Sequence, residues 1–259
     1  MTCHVCVVVH TPAHSQVSGP LTYGSVQPLA PGTLVRVPLG KRETLGVVWD
    51  TDPHAPPPPD SMDVKPVASV LDALAPLPAA WRDLVAFSAR YYQRSLGEVA
   101  LAALPPQLRD LGVEQLARRL KRVKETAPAA PNTTDLIALS AEQQSAIGQF
   151  DAENGPFLLF GATGNGKTEV YLRCVQRMLD TDPAAQALVM VPEINLTPQV
   201  EARFQARFGA ERVVSIHSGM THPQRLRSWL AAHSGAARIV LGTRMAVFAS
   251  MPGLRLIIV

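Results

Sequence analysis

"FLLFGATGNGKTEVYLR", Phe157 to Arg173, is the stretch whose reading decides the fold. A short apolar run enters a glycine-rich turn, Lys167 and Thr168 follow, and a helical pattern begins. Gly161 to Thr168, "GATGNGKT", satisfies G-x-x-x-x-G-K-[ST]. The chemistry needs those residue types at that spacing. Gly164 and Gly166 let the backbone turn its amides inward around a phosphate. The helix that starts near Lys167 adds its positive dipole end. Lys167 would reach the β- and γ-phosphates of a nucleotide, and Thr168 would bind Mg²⁺ through its hydroxyl. Gly161, Ala162, Thr163, Gly164, Asn165, Gly166, Lys167 and Thr168 are therefore the nucleotide-binding candidates. Lys167 and Thr168 are the candidates for a catalytic role, and Thr168 is the metal ligand.

Outward from this loop, apolar strands alternate with amphipathic helices. "FLLF", "ALVMV", "VVSI", "RIVL" and "LRLIIV" read as strands. "KTEVYLRCVQRMLD", "TPQVEARFQARF" and "PQRLRSWLAAH" read as helices between them. Such alternation predicts a parallel sheet flanked by helices, with ligands beyond the carboxyl ends of the strands. Those ends lead into "PEINLTPQ" (192–199), "HSGM" (217–220) and "GTRMAVF" (242–248). The row of small polar groups can line a track. A motor on a nucleic-acid strand needs one, and a kinase of a small metabolite does not.

Toward the N-terminus the pattern changes. "HVCVVV", "TLVRVPLG" and "ETLGVVWD" read as strands separated by turns, and "VKPVASVLDAL" has strand character too. "PHAPPPPD" (53–60) excludes helix and central strand and reads as an exposed polyproline loop. "PAAWRDLVAFSARYYQRS" is helical, with Trp81, Leu84, Val85 and Ser88 on one face, and "LGEVALAAL" is a second helix. Arg109, Arg118, Arg119, Lys121, Arg122 and Lys124 then face only Asp110 and Glu114. This basic run reads either as a solvated helix face or as a contact for DNA phosphates. "TAPAAPNTTD" (126–135) is a linker by composition.

Bulk properties set limits. The 259 residues are 47% hydrophobic and 17% charged, which suits a globular chain with a sizeable core. A net charge of +3 permits nucleic-acid binding without arguing strongly for it. Three cysteines fit a reducing cytoplasm, the expected location. Cys3 and Cys6 form a lone CxxC, which reads as part of a strand, since structural zinc usually takes four ligands. No basic segment leads into an apolar one at the N-terminus, so no signal peptide is expected, and no apolar run reaches membrane-spanning length.

These motifs together resemble the bacterial primosomal protein N′ (PriA) family, the replication-restart DNA helicases of superfamily II. "GATGNGKTEVYL", "MVPEINLTPQ", "HSGM" with "RLRSWL", and "IVLGTRMAVF" are similar to that family's successive helicase motifs. "LSAEQQSAI" resembles the segment whose glutamine reads adenine, here Gln143. "RVPLGKRETLGVV" and "ARYYQRSLGEVALAALP" resemble its DNA 3′-end-binding domain. The implied fold is α/β: an N-terminal β-rich DNA-binding domain (1–105), a basic segment and linker (106–138) in place of most of a winged helix, and a truncated RecA-like parallel-sheet helicase lobe (139–259).

The resemblance implies ATP and Mg²⁺ as cofactors, single-stranded and forked DNA as partners, and 3′-to-5′ helicase action in replication restart and primosome assembly. It also implies single-strand-binding protein and other primosome proteins as partners, with no membrane role. Among DNA-contacting residues it implies Tyr23, Gly40 and Lys65 in the first domain, and Thr197, Gln199, Thr243 and Arg244 in the lobe. The chain departs from the family at Leu21 and Thr22, where the family has an aromatic residue and Asp. Beyond the strand "LRLIIV" the family continues with D-E-x-H, whose acids hold Mg²⁺ and activate water, with a second lobe that supplies an arginine finger, and with a cysteine-rich zinc-binding insert. The 259 residues contain none of these. The expectation is thus the N-terminal part of an ATP-dependent helicase, inactive alone. A non-catalytic DNA- and ATP-binding module is the alternative.

Overall fold

The structure is a computed structural model that describes residues 3–11, 19–50, 64–125, 138–153, 155–162, 164–192 and 198–259. The chain divides into two compact units. One comprises Met1–Thr126, Ser218–Ser234 and Phe248–Pro252; the other comprises Ala127–His217, Gly235–Val247 and Gly253–Val259.

The first unit is built on strands β1 (Cys3–Val9), β2 (Leu21–Ser25), β3 (Leu34–Leu39), β4 (Arg42–Val48) and the two-residue β5 (Ser69–Val70). They form an antiparallel sheet in the order β2-β1-β4-β3-β5. A bridge between Gly24 and Pro66 joins the segment before β5 to β2, so the sheet curls back on itself. Period-2 alternation then places apolar groups on both faces. Val5, Val7, Val9, Tyr23, Val35, Val37 and Val48 form one cluster. Val8, Leu34, Leu45 and Val47 point to the other face. Burial of both faces explains why β1 reads as a near-continuous apolar run.

That second face is covered by α1 (Ala79–Tyr91), α2 (Leu96–Ala103), a 3₁₀ turn (Pro106–Arg109), α3 (Val113–Glu125) and α7 (His222–His233). Trp81, Val85, Leu101, Leu108, Leu116, Leu120, Leu226, Trp229 and Leu230 share one core there. Trp81 donates its indole N–H to the Phe248 carbonyl at 2.9 Å. Phe87 and Tyr91 of α1 and its C-cap residue Tyr92 lie exposed, with the rings of Phe87 and Tyr91 stacked at 5.7 Å.

The second unit contains α4 (Ala141–Ala152), α5 (Lys167–Thr181), β6 (Gln186–Met190), α6 (Pro198–Phe208), β7 (Val213–Ile216), β8 (Ile239–Gly242) and β9 (Leu254–Ile258). Its strands form a parallel sheet in the order β7-β8-β6-β9. Leu172, Val175 and Leu179 of α5 and Phe204 and Phe208 of α6 pack on Ala187, Val189, Val213, Ile239 and Leu241.

Two strand expectations need correction. "FLLF" (157–160) lies in no strand; Leu158 is 89% and Phe160 94% exposed. An isolated apolar tetrapeptide forms a strand only where a ladder partner takes its amides, and the parallel sheet has four members without it. "VKPVASVLDAL" yields only β5, because Pro66 cannot donate to a ladder and a turn begins at Asp72. The stretches 53–60 and 126–135 and residues Thr163 and 193–197 lie outside the described residues.

Candidate nucleotide and nucleic-acid sites

The glycine loop runs directly into α5. Gly166 is its N-cap at φ 73° and Gly164 stands at φ 91°, both in the left-handed region that a side chain disfavours. Among the described residues, no side chain caps the first amides of α5. The contrast with α4 and α7 is informative. Ser140 with Gln143, and Thr221 with Gln224, close those helices by reciprocal capping boxes. The start of α5 is left with open donors and the positive end of its dipole, which is the donor set that a phosphate group satisfies.

Lys167 sits in the first turn and curls back over the loop. Its ammonium donates to the carbonyls of Gly161 and Ala162, the latter at 2.9 Å. Thr168 follows in the same turn, half-buried. The Asn165 amide donates to the Ala162 carbonyl at 3.4 Å, which closes the turn. Gln143 joins this group from α4. Its carbonyl accepts from the Ser140 amide at 2.9 Å, and its NH₂ donates to the Gly166 carbonyl at 3.2 Å. The structure therefore gathers Gln143, Gly161, Ala162, Gly164, Asn165, Gly166, Lys167 and Thr168 into one site. The residues present fit a Mg-nucleotide.

A residue not anticipated from sequence completes the electrostatics. Glu169 is an acid in the first turn of α5, next to the proposed phosphate cradle. Alone it would repel an anion. It is instead bridged by Arg173 at 3.0 Å and by Arg207 of α6 at 2.8 Å, with all three side chains largely covered. Two guanidinium groups neutralise the carboxylate and tie the loop's helix to α6. The Glu–Arg spacing of four was visible in the sequence; the contribution of Arg207, 38 positions away, was not.

At the carboxyl edge of the parallel sheet the candidates divide. Gln199 is exposed in the first turn of α6. Arg244 is exposed at the start of a 3₁₀ turn, Arg244–Phe248, directly after β8. Thr243 is 5% exposed; its amide donates to Ile216 and its carbonyl accepts from Ala246. It shapes this edge, and its neighbour presents a charge there. Thr197 lies outside the described residues.

In the first unit, Tyr23 is 4% exposed, packed in the sheet cluster. Its hydroxyl donates to the Pro38 carbonyl at 3.1 Å, and burial pushes its pKa up. A ring so covered supports the curl and offers no open stacking face. Gly40 occupies the two-residue hairpin between Leu39 and Arg42 at φ 63°, with open space where a side chain would be. Lys65 is exposed, and its carbonyl accepts from the Gly24 amide at 2.9 Å. Hydrogen bonds from Tyr23 to Pro38 and from Gly24 to Lys65 thus bring these three candidates to one region of the curled sheet. Cys3 and Cys6 fall three positions apart on β1 and so on opposite faces. Among the described residues, no group of three His, Cys, Asp or Glu side chains is placed to hold a metal ion, and no helix is long and apolar enough to cross a membrane.

Comparison with known proteins agrees with this geometry. Residues 6–105 match the 3′DNA-binding domain of the PriA family, and residues 114–259, more than half of the chain, match the DEAD/DEAH box helicase family. Replication restart protein PriA of Haemophilus influenzae is 33% identical over 88% of this chain and 40% of its own length. PriA of Treponema pallidum is 32% identical over 88% of this chain and 33% of its own length. PriA of Bacillus subtilis is 38% identical over 49% of this chain. The chain thus spans well under half the length of these relatives. With its curled sheet matched by the 3′DNA-binding domain, its parallel-sheet lobe and its glycine loop, the chain belongs to the PriA type of the DEAD/DEAH box helicase family.

Proposed function

We propose that this chain is the DNA-engaging and ATP-binding part of a helicase that moves 3′ to 5′ on single-stranded DNA at stalled forks, in replication restart and primosome assembly. The observation that carries the reading is the uncapped start of α5 with Lys167 and Thr168 upon it, in a chain whose other unit matches a 3′DNA-binding domain. The names of the relatives support the restart context. The direction of movement, the cytoplasmic setting, single-strand-binding protein and other primosome proteins as partners, and zinc in a further region follow from the family resemblance alone.

In this reading Lys167 leaves the Gly161 and Ala162 carbonyls for the terminal phosphates of ATP, an exchange of neutral for charged acceptors that favours binding. The amides at the start of α5 hold the phosphates, and the Thr168 hydroxyl supplies a ligand for Mg²⁺. Gln143 stands where an adenine edge would meet the loop. Bound Mg-ATP supplies the phosphoryl group whose transfer to water powers movement. Gln199 and Arg244 at the sheet edge, with Gly40 and Lys65 in the first unit, contact DNA.

A second reading makes the chain a non-catalytic module. The polypeptide as it stands then binds DNA and ATP without turning ATP over. Phosphate release by the purified chain, with and without forked DNA, separates the two. Background rates accompanied by measurable binding of Mg-ATP and DNA support the module. Robust DNA-dependent release shows that other residues carry the hydrolytic step. Absence of binding to both ligands overturns the proposed function itself.

A further inference from the structure

We propose that the outward face of α3 is a binding surface for the phosphate backbone of duplex DNA, distinct from the 3′-end region and from the carboxyl edge of the parallel sheet. The inference deepens the DNA-binding reading and rests on it. The orientation of α3 is fixed by its inner face: Leu116 is fully buried and Leu120 is 5% exposed in the core of the first unit, with Val113 and Val123 packed beside them. At 100° per residue, Arg118, Lys121 and Arg122 lie on the opposite side, with Arg119 on the flank. All four are exposed. Anchored by four apolar contacts, the basic groups are held on a rigid support instead of trailing in a disordered tail.

Charge concentrates here beyond what composition suggests. Helix α7, which packs on α3 within the same unit, carries Arg225 and Arg227 and no acidic residue. Together α3 and α7 hold seven Lys or Arg against Glu114 and Glu125, an excess of five, whereas the whole chain has an excess of three. The rest of the molecule is net acidic, so a polyanion meets a localised positive surface.

The one carboxylate described on this face holds its partner weakly. Arg118 meets Glu114 at 3.2 Å with both side chains more than two-thirds exposed, and such pairs contribute about 0–1 kcal/mol. A phosphate can displace it. Neither α3 nor the exposed positions of α7 present a Phe, Tyr or Trp ring, so the large stacking platforms that usually hold a single strand are missing from these two helices. A stiff basic helix without aromatics matches the fixed phosphate lattice of a duplex, where it gives affinity and orientation without sequence preference. The 3′DNA-binding match ends at residue 105, before α3 begins.

The test is the salt dependence of binding by the full 259-residue chain, measured by fluorescence anisotropy with a blunt duplex, a fork and a single strand of equal length. The variant Arg118→Gln/Lys121→Gln/Arg122→Gln keeps helix-forming residues and removes three charges. Each lost phosphate contact lowers the slope of log K against log salt by about 0.9 on duplex DNA. The expected result is a slope smaller by about two to three for the duplex and the fork, little change for the single strand, and unchanged Mg-ATP binding. Glu114→Gln is the independent check: it removes a carboxylate from the same face and should tighten duplex binding severalfold. Wild type that binds DNA, with both variants unchanged on the duplex, overturns the α3 surface alone. Equal losses on all three DNAs point to general charge attraction and also overturn it. Wild type that binds none of the three DNAs defeats the proposed function as well.

Discussion

The side-chain NH₂ of Gln143 donates to the carbonyl of Gly166, 3.2 Å away, and so ties the first turn of α4 to the last residue of the glycine loop. The same side chain closes the α4 capping box through its own carbonyl. One amide therefore serves a helix start and the glycine loop. Gln143→Ala is expected to destabilise α4 by about 1 kcal/mol through loss of the bond from the Ser140 amide to the Gln143 side chain. It should also reduce discrimination between Mg-ATP and Mg-GTP by roughly tenfold, since a lost hydrogen bond to a base edge is worth about 1.4 kcal/mol. Calorimetric titration with both nucleotides checks it. Unchanged selectivity would leave Gln143 as a capping residue only.

A second expectation concerns the DNA end. Tyr23 is covered and bonded to Pro38, and Leu21 and Thr22 supply neither a ring nor a carboxylate. A 3′ hydroxyl finds no carboxylate acceptor in that trio, and a terminal base finds no open ring there to stack on. Oligonucleotides ending in a 3′ hydroxyl and a 3′ phosphate should bind within about threefold of each other at moderate salt, because phosphate contacts carry no end preference. A tenfold or greater preference for the hydroxyl that persists at high salt would show that other residues form an end pocket.

His233 gives a pH dependence with a definite sign. It is 3% exposed and stacked on Trp229; one ring nitrogen meets the Ala75 carbonyl at 2.9 Å and the other the Ser250 hydroxyl at 2.8 Å. A carbonyl only accepts, so Nε2 carries the proton and Nδ1 accepts from Ser250. Burial pushes the pKa down, despite the carbonyl's opposite pull. The unfolded chain takes up a proton near the ordinary histidine value of about 6.5, while the folded chain resists until lower pH. Stability from the neutral ring is full above that value and is lost as pH falls through it toward the folded pKa. His233→Gln should be less stable at pH 7.5 by about 1–3 kcal/mol, as buried partners lose their bonds. Its stability should fall less steeply than wild type between pH 7 and pH 5. Parallel denaturation curves across that range would contradict this.

The sequence showed the alternating lobe clearly because β6, β7, β8 and β9 are apolar runs separated by helices of regular period. The glycine loop was plain because its chemistry is local. Other features escaped for physical reasons. "LTYGS" forms β2 through an antiparallel ladder with β1, and Pro66 meets Gly24 on its other side, pairings that its local pattern does not encode. The burial of Tyr23 follows from the same curl. The periodicity of α7 announced an apolar face through Leu226, Trp229 and Leu230, but it could not say that this face packs with Leu116, Leu120 and Trp81. Arg207 reached Glu169 through tertiary packing, so only half of that ion-pair group was visible. "FLLF" had strand character and no ladder to join.

The central claim is that Lys167 and the open start of α5 hold the phosphates of ATP. Its most direct measurement is calorimetric titration of the purified chain and of Lys167→Ala with Mg-ATP and with Mg-free AMP. The ammonium rests on two loop carbonyls and is the only charged side chain of the loop sequence 161–168. A charge-assisted contact of about 1.5–3 kcal/mol corresponds to a loss of roughly tenfold to over a hundredfold in Mg-ATP affinity, with AMP nearly unaffected, since Lys167 meets the terminal phosphates. Equal Mg-ATP affinities for wild type and Lys167→Ala, both folded, would contradict the claim.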